Sequence, residues 1–143
     1  WKGDEKKSGG IATNIGIHFF DMLGFIFGKV KENHVHMNLP NKAAGFIEFE
    51  KANVKWFLSI DINDIPKKVL DKNKRTFRCI RIDKKEIEFS DGFTDLHTKS
   101  YEQILKGNGF GIEETRSAIE IASHIRNAPI VNIGDKHPLW KKK

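Results

Sequence analysis

Ser8 to Phe27, SGGIATNIGIHFFDMLGFIF, reads as a single buried helix around which the rest of the chain is organised. Ser8 is a residue of the N-cap type, and Gly9 and Gly10 leave room for something to approach the first turn closely. Ile11, Ile15, Ile17, Phe19, Phe20, Met22, Leu23, Phe25, Ile26 and Phe27 make the segment apolar nearly all round. That is the pattern of a core helix. Asn14, His18 and Asp21 interrupt it as a polar row. Residues 14 and 18 are four apart and stand one above the other, with Asp21 three further on. Polar groups on such a helix are either satisfied internally or aimed into a cleft. His18 is therefore open to two roles. It is a core histidine bonded to a carbonyl or to Asp21, or it is a general acid/base that exchanges a proton near neutral pH. Asn14 is equally open: it fixes a substrate hydroxyl or the ring of His18, or it is a satisfied core amide.

Working outward, Gly28 is placed as a C-cap, and the pattern then changes to period two. Val30, Val35, Met37 and Leu39 mark a first strand, ended by Pro40 and Asn41. Ala43 to Glu50 marks a second. In Val54 to Ile62, Val54, Trp56, Leu58, Ile60 and Ile62 alternate with Lys55, Phe57, Ser59 and Asp61. Alternation this regular predicts a sheet with one buried face, and the short turns predict a meander. Residues 64–74, with Pro66 and four lysines, read as a loop. Arg75 to Asp83 and Glu86 to Phe89 read as strands. Asp95 to Lys106 reads as a helix with Leu96, Tyr101, Ile104 and Leu105 inward. Glu113 to Asn127 reads as another, with Ile119, Ala122 and Ile125 as its stripe beside Ile112 and Ile121. Ile130, Val131 and Ile133 add a short edge strand. The expected fold is α+β, an open, mostly antiparallel sheet with helices packed on one face, in one domain over residues 1–143. The other face, partly apolar through Phe57 and Ile80, is expected to be covered by a second subunit.

Composition narrows the function classes. The chain has 143 residues, and 25 Lys and Arg against 19 Asp and Glu give a net charge of +6. The excess is either a solvated surface or a site for an anionic ligand such as a nucleotide sugar. Nucleic acid is not the expected partner, because no basic helix, zinc finger or ribonucleoprotein motif is present. No apolar run reaches the roughly 18 residues that span a bilayer, so no membrane partner is expected. No secretory signal pattern is present, and a cytoplasmic location is expected. The single cysteine, Cys79, reads as a small core residue. His34 and His36 are two apart on a strand and lack further ligands, so no metal site is expected. Gly107-Asn108-Gly109-Phe110-Gly111 is not a dinucleotide fingerprint: Ile112 stands where the third glycine belongs, and no strand precedes it. The loop is a helix–helix turn, or it lines a substrate pocket with the next helix N-terminus facing an anion. A start at Trp1, with a helix following at once, is expected of a piece of a longer protein.

Ser8-Gly9-Gly10, followed by Asn14-Ile15-Gly16-Ile17-His18-Phe19-Phe20-Asp21, resembles a family motif. It is that of the substrate domain of the glucose-fructose oxidoreductase / inositol dehydrogenase / rhizopine-catabolism (Gfo/Idh/MocA) oxidoreductases. Within that family the chain is similar to UDP-N-acetylglucosaminuronate 3-dehydrogenases of lipopolysaccharide sugar biosynthesis, and Asn108 to Arg116 shares the likeness. The resemblance implies an NAD (or NADP) cofactor, bound mainly by an N-terminal Rossmann half that this chain does not match. It implies that His18 is the acid/base, taking the proton from a sugar hydroxyl as hydride leaves the same carbon for the cofactor. Many relatives carry an aspartate where Asn14 stands. An amide cannot relay a proton, so Asn14 is left with substrate positioning. Ser8 replaces the first of three glycines in the motif. The expected substrate-binding residues are Asn14, Lys2, Lys7, Gly9, Gly10, Gly109, Phe110 and Arg116. The expected partners are a nucleotide-sugar or sugar substrate and further copies of the chain, joined as a dimer or tetramer through the open sheet face. Rival expectations are a dehydrogenase of a simple sugar or inositol, and a non-catalytic sugar-binding or assembly domain.

Overall fold

The computed structural model describes residues 5–92 and 94–141. It forms two compact units, one built from the chain up to Ile60 together with the chain from Gly111 onward, the other from Asp61 to Phe110.

In the first unit a single turn, α1 (Glu5–Ser8), ends at Gly9 and Gly10. Both glycines take left-handed backbone, with φ of 73° and 82°, and this reorients the chain. Ser8 thus lies inside α1 and does not cap the long helix as expected. The chain re-enters helix through a π-helical turn, Ala12–Gly16, which runs directly into α2 (Ile17–Phe27). Packing accounts for the wide turn. Ile11 is 2% exposed, and Gly16, Phe20 and Leu23 are buried beyond it. Five residues of α-helix advance roughly 500°, which would carry Ile11 away from the face of Gly16. Bonding from i to i+5 returns it to the core. The second departure is that α2 is not buried all round. Its core face is Phe20 and Leu23, whereas His18, Asp21, Phe25 and Ile26 are exposed. Gly28 ends the helix at φ 86°, its N–H bonded to the Gly24 carbonyl at 2.9 Å.

The meander is present as expected. β1 (Val30–Leu39), β2 (Lys42–Phe49) and β3 (Asn53–Ser59) are antiparallel in the order β1-β2-β3. Ile47 pairs with Asn33 and with Val54, which sets the inward face. Val35, Ala43, Ile47, Phe49 and Trp56 on that face meet Ile11, Phe20 and Leu23 from the N-terminal helix. The edge of Phe20 stands on Trp56, with centroids 5.4 Å apart. The one-sided pattern buries apolar area, the main driving force of such a fold.

The later helix, α5 (Ile112–Asn127), packs beside α2 on the same side of the sheet. Its first turn is closed by the Gly111 N–H donating to the Glu114 carboxylate at 2.9 Å. The buried stripe is Ala118, Ile121, Ala122 and Ile125, spaced i, i+3, i+4, i+7. Ile112 and Ile119 fall off that line and are 73% and 50% exposed, against expectation. No edge strand forms at 130–133. A single parallel bridge joins Ile130 to Val35, and the Val131 N–H bonds the Val35 carbonyl at 2.8 Å.

Past that bridge the chain crosses to the outward face of the sheet. His36, at a β-bulge between Val35 and Met37, is buried under this segment, 3% exposed, with Nε2 2.6 Å from the Ile133 carbonyl. The Trp140 indole N–H donates to the His36 carbonyl at 3.2 Å. The ring of His137 stacks on Phe57, with centroids 5.5 Å apart, and Lys55 pairs with Asp135. Part of the face expected to meet a second subunit is therefore covered by the chain itself.

The second unit begins with a 3-10 turn, Ile62–Asp64, capped by the Asp61 side chain accepting from the Asn63 N–H. A one-turn helix, α3 (Lys67–Leu70), follows where a loop was expected. β4 (Cys79–Ile82) and β5 (Lys85–Glu88) form an antiparallel hairpin, a separate two-stranded sheet from the meander. Asp83 in its turn takes φ 53°. Arg81 and Lys68 both reach Glu86, and together they hold its carboxyl below the ordinary range, Arg81 most. Burial pushes the Cys79 thiol above its usual value. The helix α4 (Leu96–Leu105) forms where the spacing predicts it. Its inward residues do not: Leu96, Tyr101, Ile104 and Leu105 are between 49% and 88% exposed. No helix among the described residues is long and apolar enough to cross a membrane.

Candidate functional site

His18 stands in the first turn of α2 with its ring exposed, and Asn14 lies half-buried within the π-helical turn. Among the described residues neither side chain makes a hydrogen bond, and Asp21 does not bond His18. The core-histidine role is thereby lost. A satisfied core imidazole would have a partner, as His36 has in Ile133. A wide turn advances less per residue than the 100° of an α-helix. The four-residue step from Asn14 to His18 so comes nearer one full turn, and the two residues nearer one line. An open imidazole with a neutral amide one turn behind it can exchange a proton with a hydroxyl while the amide holds a neighbouring oxygen.

Gly9 and Gly10 line a small cleft of about 100 Å³ at the start of the same helix, with Ile11, Ala12, Asn38, Leu39, Arg126 and Asn127. The Asn38 amide donates to the Ile125 carbonyl at 3.2 Å, and the Asn127 amide donates to the Ser123 carbonyl at 2.7 Å. Their side-chain oxygens remain as acceptors, and Arg126 supplies a cation with no ion pair among the described residues. These residues were not legible in advance. Arg126 reads as an ordinary basic residue in the last turn of a helix, where it complements the dipole. Asn38 is one polar residue among several on a strand.

The other expected substrate residues belong to other elements. Lys7 is exposed at the end of α1, and Lys2 lies outside the described residues. Gly109 and Phe110 end the second unit, Gly109 close to Ile104 and Phe110 76% exposed. Arg116, in the first half of α5, forks onto Glu113 one turn back, Nε to Oε2 at 3.0 Å and Nη2 to Oε1 at 2.6 Å. That bond raises the guanidinium and holds the Glu113 carboxyl below the usual range. Arg116 would have to exchange Glu113 for a ligand anion. Of the eight expected binding residues, Asn14, Gly9 and Gly10 share one helical entry with His18. His34 is taken by Glu32 at 2.8 Å and by the face of Phe46. Among the described residues no three His, Cys, Asp or Glu side chains gather into a group fit for a metal.

Comparison with known proteins bears on the fold that carries these residues. Residues 1–62, which carry the helix and the first strands, match the family described as oxidoreductase family, C-terminal alpha/beta domain. Two crystal structures of the WlbA (WbpB) dehydrogenase from Thermus thermophilus are similar over 97% of this chain, each with a TM-score of 0.90. One, in complex with NAD and alpha-ketoglutarate, is 48% identical; the other, in complex with NAD and UDP-GlcNAcA, is 47% identical. This chain covers 46% and 45% of those two chains, so it spans about half their length. The match of motif, meander and flanking helices establishes that the chain belongs to the Gfo/Idh/MocA oxidoreductase family, as its C-terminal alpha/beta domain.

Proposed function

We propose that this chain is the substrate-side domain of an NAD-dependent dehydrogenase that oxidises a sugar hydroxyl, the 3-hydroxyl of a UDP-N-acetyl-hexosaminuronate. The observation that carries the proposal is the likeness, over almost the whole chain, to a dehydrogenase crystallised with NAD and UDP-GlcNAcA. His18, exposed and without a partner on α2, supports it from this chain's own side.

The chemistry asked of the chain is limited. NAD would supply the acceptor for the hydride of the carbinol carbon. His18 takes the hydroxyl proton, which must leave as the carbonyl forms, and a neutral imidazole is suited to that near pH 7. Asn14 offers one donor and one acceptor to the sugar beside the reacting carbon. Gly9 and Gly10, which carry no side chains, let the sugar or the nicotinamide come close to the helix entry. Lys2, Lys7, Gly109, Phe110 and Arg116 serve the diphosphate, the carboxylate and the uridine. The net charge of +6 favours such a polyanionic ligand. The reaction belongs to lipopolysaccharide or surface-polysaccharide sugar synthesis in the cytoplasm. Copies of the chain associate through the part of the outward sheet face that residues 130–141 leave open.

The test is turnover by the full-length protein with NAD and UDP-GlcNAcA, followed by NADH absorbance, beside free glucose and inositol as competing substrates. His18→Ala lowers kcat by roughly 10²–10⁴. Unchanged turnover in that variant removes the acid/base role, and faster turnover of a free sugar removes the nucleotide-sugar assignment.

A further inference from the structure

We infer that Gly16 is a positioning residue for His18, and that its missing side chain sets the depth at which the site-bearing helix sits on the sheet. Gly16 is buried, closes the π-helical turn and precedes α2. Its backbone, φ −63° and ψ −37°, is ordinary right-handed helix that any residue adopts. Conformation therefore does not call for glycine here. Space does: a Cβ at this position would stand 2.7 Å from Phe20 Cε2 and 2.8 Å from Leu58 Cδ1. Carbon atoms in good contact lie about 3.5–4.0 Å apart, so one of the three groups would have to give way.

Phe20 cannot readily do so. It is 1% exposed and its edge is held on Trp56. Leu58 lies on β3 and packs against the same core. Phe20 rides on the same helix as Gly16, so lifting that helix off β3 relieves the Leu58 contact, and the Phe20 contact yields only as its ring shifts against Trp56. Asn14 and His18 are each two residues from Gly16, about 3 Å along the axis at 1.5 Å per residue. They ride on the same bonded turn and would move with it. Proton transfer needs a heavy-atom separation of about 2.6–3.2 Å, and a misplacement near 1 Å can cost roughly 100-fold in rate.

This inference rests on the acid/base role proposed for His18. It is tested in the full-length protein with NAD and UDP-GlcNAcA, comparing Gly16→Ala, the double variant Gly16→Ala/Leu58→Ala, and His18→Ala. Circular dichroism and urea midpoints establish that each variant is folded. Gly16→Ala is expected to lower kcat by roughly 10- to 100-fold with KM little changed. The double variant removes the Leu58 carbon that the new Cβ meets and leaves the Phe20 contact, and is expected to recover part of kcat. A residue that served only stability would show no such split between kcat and KM, and no recovery from a second core truncation. A folded Gly16→Ala with normal kcat overturns the inference, as does a double variant that recovers nothing. Should Gly16→Ala alone fail to fold, the double variant decides, and its failure to fold overturns the steric account. If His18→Ala leaves turnover intact, the acid/base role is what has failed. If His18→Ala is slow and Gly16→Ala is not, only the positioning role has failed.

Discussion

Phe20 and Phe25 lie five residues apart on one helix and look alike in the sequence, yet the structure assigns them opposite weights. Phe20 is 1% exposed, walled by Trp56 and by the close approach of the helix at Gly16. Phe25 is 93% exposed. Truncating a core phenylalanine to alanine costs about 3–5 kcal/mol, with the larger values where the site cannot collapse. Around Phe20 the neighbours are a sheet strand and a second ring, so the upper half of that range, about 4–5 kcal/mol, is expected for Phe20→Ala. Small domains hold about 5–15 kcal/mol in all. With a urea dependence near 2 kcal/mol per molar, the unfolding midpoint should fall by about 2 M. Phe25→Ala should stay within about 0.5 kcal/mol of the parent. Far-UV circular dichroism is the appropriate signal, since Trp56 fluorescence would respond to the lost neighbour as well as to unfolding. A midpoint shift below about 0.5 M for Phe20→Ala, at unchanged slope, would refute its place in the core. Equal shifts for the two variants would refute the orientation of the helix, and with it the exposure of His18.

Two further outcomes are expected. Glu113 titrates below the usual carboxylate range because Arg116 bonds it. A folded value below the unfolded one means that the pair's support is present above the ordinary glutamate range and is lost as pH falls through the folded value. Arg116→Gln should bring the Glu113 titration, followed by NMR of its side-chain carboxyl, back up toward the ordinary range; an unmoved titration would show that the pair does not form in solution. Trp140→Phe keeps the ring and removes the donor to the His36 carbonyl. It should cost about 1 kcal/mol, read as a lower urea midpoint, and no change would mean that residues 138–141 do not hold the outward face.

The meander was legible because alternation on β3 is regular and the turns are short. Trp56 and Leu58 face inward as their spacing predicts, and Phe57 faces out. What was not legible has a common physical cause. Periodicity identifies which positions repeat; it does not identify what covers them. Tyr101, Ile104 and Leu105 share one face of α4, yet Leu105 is 88% exposed. On α5, the spacing puts Ile119 in the apolar stripe, yet it is 50% exposed. The buried position is the neighbouring Ala118, 2% exposed. The outward sheet face was legible as apolar. That His137 of the same chain would stack on Phe57 depends on a contact eighty residues away, which no local pattern encodes.

The candidate site was legible as a set of residues and not as a geometry. Spacing by four placed Asn14 and His18 on one face under the assumption of an unbroken α-helix. The chain contains a wider turn at that point, because Ile11 and Gly16 must both enter the core. The aim of the polar row is thus decided by apolar residues on its other side. Leu58 and Phe20 limit how near the helix comes, and Gly16 lets it come that near. A histidine presented in this way owes its position to the sheet beneath it. On the role proposed for His18, variants in the core of β3 should change the rate of the proposed reaction before they change substrate affinity.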